Sequence, residues 1–536
     1  MTLRQFLSLI ARLLILVLAA SPAAAAGASA SAPNACHVIE VVDEQTARGV
    51  PLVELETVDR VRYYTDSNGL VAFNEPGLMN QKVFFSVSSF GYEFPEDMFG
   101  FRGTIVETAA GGTTKLKIKR INIAERLYRI TGQGIYRDTI LAGRKPPVEV
   151  PLLNAQVVGQ DSVQASVYRG KAYCFWGDTS KLGYPLGNFR TTGATVALPG
   201  GGGLDPAVGV VPKYFIDPQS GFTKQMIPLT EPGPVWIDGL LTATDESGQE
   251  RMIAHFSRMQ DLGTRLERGL ITFDDASQTF KKLQPVPLDT RLAPGGHPFR
   301  ATVDGQAYFY FAVPYPCVRV RAAWKSITDL SSYEAFTCLQ QDAPLDVNAP
   351  KLDRDAAGKL RFAWKKNTPP LEPRELEELI KKQVIRRDEL PFRLSDAETG
   401  KPVLIHGGSV YFNDFRKKYV MIGLELRGAS TLGEIWYAES PKPEGPWVHA
   451  RKIVTHRREI GQGLGKRADT QDLYNPTQQP FFDQQGGRII YFEGTYTNSF
   501  SGNPVQTPRY EYNQMMYRLD LSDPRLKLPP DDTPTK

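Results

Sequence analysis

Five stretches in the later two-thirds of this chain share one pattern, an alternating apolar–polar run that reverses at a tight polar turn. They are Ser162–Trp176 turning at Arg169-Gly170, Leu240–Ser257 near Ser247-Gly248, Phe299–Val313 at Asp304-Gly305, Ser409–Leu424 around Arg416-Lys417, and Pro480–Tyr496 at Gly486-Gly487. Alternation on both sides of a short turn specifies an antiparallel hairpin, and glycine supplies the positive φ such turns need. Further strand pairs, among them GLITFDDASQTFKKL and GEIWYAESPKPEGPWVHARKIV, lie between the hairpins. A hairpin plus an outer strand pair, five times over, predicts an all-β chain folded as a five-bladed β-propeller over residues 151–526. The intervals between turns are uneven. The longest holds a helical insert near 371–388, where Leu376, Leu379, Ile380 and Val384 share a face.

Residues 34–122 read as a small β-sandwich preceding the propeller. The signs are HVIEVVDEQTARGVPLVELETV, RVRYYTDSNGLVAF, KVFFSVSSFGYEF and KLKIKRI, strands separated by polar turns. Residues 123–150, ending Pro-rich, read as a linker. Residues 1–26 read as a signal peptide: Arg4 and Arg12, the apolar run LLILVLAA, then small residues. That run is too short for a permanent membrane span. The expectation is a secreted or periplasmic protein without stable membrane insertion.

The 63 basic and 59 acidic residues leave a net charge of +4 spread along the chain, which argues against a nucleic-acid partner. Of the four cysteines, Cys317 and Cys338 are expected to form a disulfide in an oxidising compartment, and Cys174 to be a buried thiol. No two histidines or cysteines have a short metal-ligand spacing. No metal or other cofactor is therefore expected, with a structural divalent cation left open. The run Gly200–Gly203 has no strand–helix context and no Lys-Ser/Thr, so it is no phosphate cradle. The GxSxG pattern of serine hydrolases is absent.

The stretch GQDSVQASVYRGKAYCFWGDTS (Gly159–Ser180) carries the sharpest chemical signal. With Arg169-Gly170 as a two-residue loop, Tyr168 pairs with Lys171, and counting outward sets Asp161 opposite Asp178. Like charges directly opposite repel, so stability alone disfavours the pairing. Two carboxylates at that separation suit acid/base or nucleophilic chemistry. In a propeller, residues just before each first strand crowd the mouth of the central channel. Those positions are Asp161, Asp238, His297, His406 and the DLYN segment with Asp472 and Asn475. The far ends of the second strands return to the same mouth with Asp178, Arg258 and Glu493.

Each candidate has an ordinary structural alternative. Asp178 fits a turn residue bonding its own backbone, and Glu493 a strand-end salt bridge. The histidines His255, His297 and His406 fit satisfied structural residues as well as substrate contacts or a proton donor. Trp176, Trp236, Tyr491 and Tyr496 fit either the core or a sugar-stacking platform. The candidate catalytic set is Asp161 and Asp178, with Glu493 or His406 as internal alternatives. Trp176, Trp236, Asp238, His255, Arg258, His297 and Asn475 are candidate substrate contacts.

GEIWYAESPKPEGPW (Gly433–Trp447) resembles a strand–turn–strand segment of the five-bladed propeller glycosidases, the arabinanase- and fructosidase-like hydrolases. FWGDTS (Phe175–Ser180), with Asp161 upstream, resembles the propeller family that includes the endo-D-arabinanases. That resemblance implies two catalytic aspartates, which fall on Asp161 and Asp178, and a poly- or oligosaccharide substrate. "GVPLVELE", "YTDSNGLVAF" and "SFGYEF" resemble transthyretin-like and carboxypeptidase-regulatory-like sandwiches. The implied activity is that of a glycoside hydrolase, and the cross-strand spacing of the aspartate pair favours retention. The rival from another class is a non-catalytic carbohydrate-binding or scaffolding propeller. A lyase or phosphoesterase would call for a clearer metal cluster or Lys/Tyr base.

Overall fold

The computed structural model describes residues 35–313, 315–428, 431–460, 467–470, 472–498 and 506–530. The expected signal peptide lies outside them. The chain is nearly all β, with 45% of residues in strands and 8% in helices.

The N-terminal part builds two four-stranded sheets. One runs in the order Leu70–Phe73, His37–Asp43, Thr113–Arg120, Tyr92–Glu93, the second in the order Arg62–Tyr64, Glu54–Thr57, Lys82–Ser88, Gly103–Glu107. Lys82–Ser88 shows why they form. Its residues alternate between covered and more open positions, so every second side chain enters the core. Ile39, Leu55, Phe73, Phe85, Val87 and Ile118 from both sheets meet in one hydrophobic cluster.

Among the described residues five larger sheets built on antiparallel meanders follow, beside one of three strands and one of two. The first holds Val163–Tyr168, Lys171–Trp176, Thr192–Ala197 and Lys213–Tyr214, and the second holds Val235–Thr244, Glu250–Met259, Arg265–Asp274 and Thr279–Pro285. The third begins with His297–Val303 and has five strands. The fourth begins with Ile405–Asn413 and takes Phe392–Asp396 as a parallel outer strand. The fifth begins with Asp472–Gln478 and continues through Ile489–Thr497 to Asn513–Asp520. The first strand of each sheet lies against the first strand of the next, from the first sheet to the fifth. Side-chain bonds from Tyr474 and Asn475 to Asp161 and Ser162 then join the fifth to the first.

The turns follow their residues. Arg169 and Gly170 have φ of 49° and 75°, and Asp304 and Gly305 have 50° and 75°. Two successive positive φ values match the right-handed twist of flanking strands. Helix Pro373–Lys381 forms in the expected insert, opened by Pro at its first turn and a capping box between Glu372 and Glu375. It buries Leu376 and Leu379.

Three findings depart from the sequence reading. Within the expected linker 123–150, Glu125–Arg129 is a fully buried strand that closes the fifth sheet beside Asn513–Asp520, and Arg137–Leu141 is a helix. ERLYR carries three charged residues in five, so it shows no apolar alternation. Its arginines are buried because backbone carbonyls receive them. In the fifth unit the first strand is Asp472–Gln478, and Pro480–Phe482 forms a 3-10 turn instead of beginning the hairpin. Pro480 has no N–H to donate to a ladder.

Third, Cys317 and Cys338 are free thiols, not a disulfide. Their strands pair with Val318 opposite Ala335, which sets Cys317 opposite Phe336. Cys338 is then a diagonal neighbour, with Cα atoms about 7–8 Å apart, beyond the usual reach of a disulfide. Cys174 is buried and free. Among the described residues no helix is long and apolar enough to cross a membrane.

Candidate functional site

The hairpin of the first sheet pairs Val163 with Trp176 and Tyr168 with Lys171. The count carried outward sets Asp161 opposite Asp178, and the Asp161 amide donates to the Asp178 carbonyl at 2.9 Å. The ladder resumes in the same register with Gln160 opposite Thr179. Asp161 and Asp178 are thus cross-strand neighbours, with Cβ atoms about 4.5–5.5 Å apart.

Their surroundings differ. Asp161 Oδ1 accepts from the Ser162 amide at 2.5 Å, the Ser162 hydroxyl at 2.7 Å and the Tyr474 hydroxyl. Asn475 donates its side-chain amide to the Ser162 hydroxyl. The register slips between Tyr474 and Thr477, and Asn475 has a φ of 48°. This bulge turns two successive side chains toward the first sheet, as bulges do where a strand must re-aim a residue. The Asp178 carboxyl accepts from the Trp236 indole at 2.8 Å. Desolvation pushes its carboxyl above the ordinary range; the Trp236 bond opposes this, and the Asp161 charge adds to it.

The second sheet adds Asp238, whose carboxyl accepts from the Gly239 amide at 3.0 Å and the Gln164 side chain at 3.5 Å. Desolvation raises it to about 7 against the bonds from Gly239 and Gly296. Glycine is required beside it. Gly239 has a φ of 61°, and a Cβ there would lie 2.8 Å from that of Pro294. His255 sits opposite Asp238. It is buried and accepts from Arg268 Nε at 3.0 Å. Burial, then the charges of Arg268 and Arg265, lower its pKa to about 3, so it is a neutral acceptor.

His297 opens the first strand of the third sheet, and burial lowers its pKa to about 4. Exposed His406 lies on the first strand of the fourth sheet. Its neighbour Gly407 faces Asn475, since a Cβ there would be 3.6 Å from Asn475 Oδ1. One end of the five first strands therefore gathers Asp161, Asp178, Trp236, Asp238, His297, His406 and Asn475.

The other candidates are taken up by packing or by partners of their own. Trp176, Tyr491 and Tyr496 are each at most 1% exposed, so they form core and not a stacking platform. Arg258 is engaged by Glu267 at 3.1 Å and by the Pro232 carbonyl at 2.8 Å. Asp472 is buried and accepts from the Leu432 amide. Glu493 is buried inside the fifth sheet, where Oε1 accepts from Gln479 at 2.7 Å and Oε2 has no hydrogen-bond partner among the described residues. Desolvation raises it to about 7. A folded-state pKa above the unfolded value contributes stability below about pH 4.5 that is lost as pH rises through 7. Glu493→Gln is expected to stabilise the fold by about 3 kcal/mol at pH 8 and by little at pH 4. Denaturant titrations at both pH values check this; equal effects would contradict the buried-carboxyl assignment.

Sequence reasoning missed Tyr474, Ser162, Gln164 and Arg268, each of which bonds a candidate. Tyr474 adjoins Asn475 and carries a donor hydroxyl, a signal present in YNPTQQ. Arg268 had none, because only the pairing of the second and third strands of its sheet brings it to His255. Among the described residues no group of three or more His, Cys, Asp or Glu is placed to hold a metal ion.

No protein-family model matches the chain, and no curated protein matches it. Solved structures similar to it include a GH43_1 enzyme from Xanthomonas citri, at 13% identity and a TM-score of 0.32, over 70% of this chain and 90% of that one. An exo-1,5-alpha-L-arabinanase from a bovine ruminal metagenomic library matches at 13% identity and a TM-score of 0.31, over 68% and 94%. An exo-beta-1,3-galactanase from Phanerochaete chrysosporium matches at 9% identity and a TM-score of 0.32, over 68% and 61%. At these scores the likenesses carry no weight for activity, which has to be argued from this chain's own residues.

Proposed function

We propose that the protein is a secreted glycoside hydrolase acting on a poly- or oligosaccharide. Its five meander sheets are read as the blades of a propeller, and its N-terminal sheet pair as a β-sandwich. The observation that carries this reading is the cross-strand pair Asp161 and Asp178 in unlike environments at the end where the first strands converge. Three hydrogen bonds converging on one oxygen fix the Asp161 carboxyl in orientation. Desolvation and its charged neighbour favour the protonated form at Asp178. An oriented carboxyl beside one held toward its protonated form can supply a nucleophile and an acid.

In this mechanism Asp161 Oδ2 attacks the anomeric carbon while Asp178 gives its proton to the leaving oxygen. Asp178 then takes a proton from the water that cleaves the glycosyl–Asp161 ester. Cross-strand spacing supports a carboxyl separation near 5–5.5 Å, the range of retaining enzymes, over the 6.5–9.5 Å that leaves room for water in inverting ones. Asp238, His297 and exposed His406 would meet sugar hydroxyls around the pair. A purely carbohydrate-binding propeller is less well supported, because three of the four aromatic residues suited to stacking are buried.

The test is sugar release from a panel of bacterial and plant glycans, arabinans included, with the anomer of the first product followed by NMR. Release with retention is expected. Release with inversion would recast Asp161 as a base, and binding without release would favour the non-catalytic reading.

A further inference from the structure

We infer that the N-terminal domain holds Asp161 in place, with Tyr510 as the positioning residue that carries the connection. The catalytic consequence rests on the reading of Asp161 given above; the mechanical connection does not. Tyr510 is 2% exposed and reaches from the turn before the Asn513–Asp520 strand of the fifth sheet into the N-terminal domain. Its hydroxyl donates to the Thr65 carbonyl at 2.6 Å and accepts from the Leu52 amide at 3.1 Å. Both partners are main-chain groups of that domain, so the contact reads backbone position and not a mobile side chain.

The segment that Tyr510 anchors is the one that touches the strand leading to Asp161. The Tyr512 carbonyl accepts from the Gln160 amide. Gln514 donates its side-chain amide to the carbonyls of Gln160 at 2.9 Å and Asp161 at 3.1 Å, and to the Thr495 hydroxyl at 2.9 Å. The approach is close enough to demand glycine. A Cβ on Gly159 would lie 2.7 Å from the Glu511 carbonyl oxygen and 3.0 Å from that of Tyr512.

Arg129 fixes the other side of the segment. Its guanidinium lies 4.3 Å from the Tyr510 ring centroid and donates to the Arg509 carbonyl and to Asn513 Oδ1. From Thr65 the path is thus Tyr510, two residues of backbone to Tyr512 and its bond to Gln160, and four to Gln514 and its bonds to the main chain of Gln160 and Asp161. The Leu52 amide also donates to the Thr65 carbonyl at 3.1 Å, so the Tyr510 hydroxyl docks on a main-chain pair that is itself fixed, and burying that hydroxyl without these partners would be costly. The N-terminal domain is accordingly part of the site's frame, where a tethered binding module would leave the site unaffected.

The test is hydrogen exchange by mass spectrometry on the full chain, comparing the native protein, Tyr510→Phe and Tyr63→Phe. Tyr510→Phe keeps the ring against Arg129 and removes the hydroxyl. Tyr63→Phe removes a hydroxyl of the same domain that bonds Glu75 at 2.8 Å, off the path. Exchange in the peptide spanning Gly159–Ser162 is expected to quicken at least ten-fold in the first variant and to stay within two-fold in the second. Unchanged exchange there in Tyr510→Phe, or equal acceleration in both variants, would overturn the inference.

The native protein in low denaturant supplies a second measurement that does not depend on the variant folding. Peptides around Leu52, Thr65 and Gln160 are expected to open in one step; separate steps would overturn the inference. On a glycan that the native enzyme cleaves, Tyr510→Phe is expected to lower kcat about ten-fold with KM unchanged. A native protein that cleaves none of the panel would refute the hydrolase reading, while exchange would still decide the role of Tyr510.

Discussion

Asp178→Asn is expected to cut sugar release from natural glycans by about 10²–10⁴-fold, the range for loss of a positioned acid. Formation of the glycosyl ester from an aryl glycoside with a good leaving group is expected to survive, because that leaving group needs no proton. Asp161→Asn is expected to lose both reactions. Azide separates the roles further. In Asp161→Asn it replaces the missing nucleophile and yields a glycosyl azide of inverted configuration. In Asp178→Asn it attacks the intermediate and yields the retained one. A single-turnover burst with the aryl glycoside, followed by NMR of the azide products, checks the assignment. Equal losses on both substrates in both variants would instead mean that the pair shapes the site without doing the chemistry.

Arg126→Ala is expected to destabilise the chain by about 3–5 kcal/mol, read as a lower midpoint in urea. Arg126 is 1% exposed and sits on the strand that closes the fifth sheet. It donates to the Pro51 carbonyl at 2.9 and 3.1 Å, the Phe90 carbonyl at 3.1 Å and the Ser89 hydroxyl at 2.6 Å. Truncation removes these donors from two buried carbonyls at the junction with the N-terminal domain. Arg126→Lys is expected to recover only part of the loss, since an ammonium on a flexible stem cannot reproduce a planar fork with several fixed donors. Full recovery by Lys would show that charge alone, and not the fork, holds the junction.

Arg126 and Tyr510 carry a lesson about ERLYR and PRYEYN. Each looks like an unremarkable polar stretch because its hydrogen-bond partners are main-chain carbonyls far away in sequence. Carbonyl positions leave no trace in residue types. The free thiols of Cys317 and Cys338 make a similar point: sequence nearness suggested a pair, and strand register set them on a diagonal.

What the sequence by itself determined is local. Arg169-Gly170 requires a two-residue turn with positive φ at both positions, and a turn of that length dictates the register outward from Tyr168 and Lys171. The opposition of Asp161 and Asp178 was therefore legible from twenty-two letters, because strand pairing is a counting rule once the turn is known. Only the tertiary structure decided which of the two carboxyls gathers three hydrogen bonds and which is desolvated with one. Tyr474 reaches Asp161 from 313 residues away and Trp236 reaches Asp178 from 58. The same holds for Glu493, which the strand pattern offered as a site residue and the packing of the fifth sheet enclosed. Local torsional preference reaches a few residues along the chain, whereas solvation and charge depend on what the fold brings within a few ångströms.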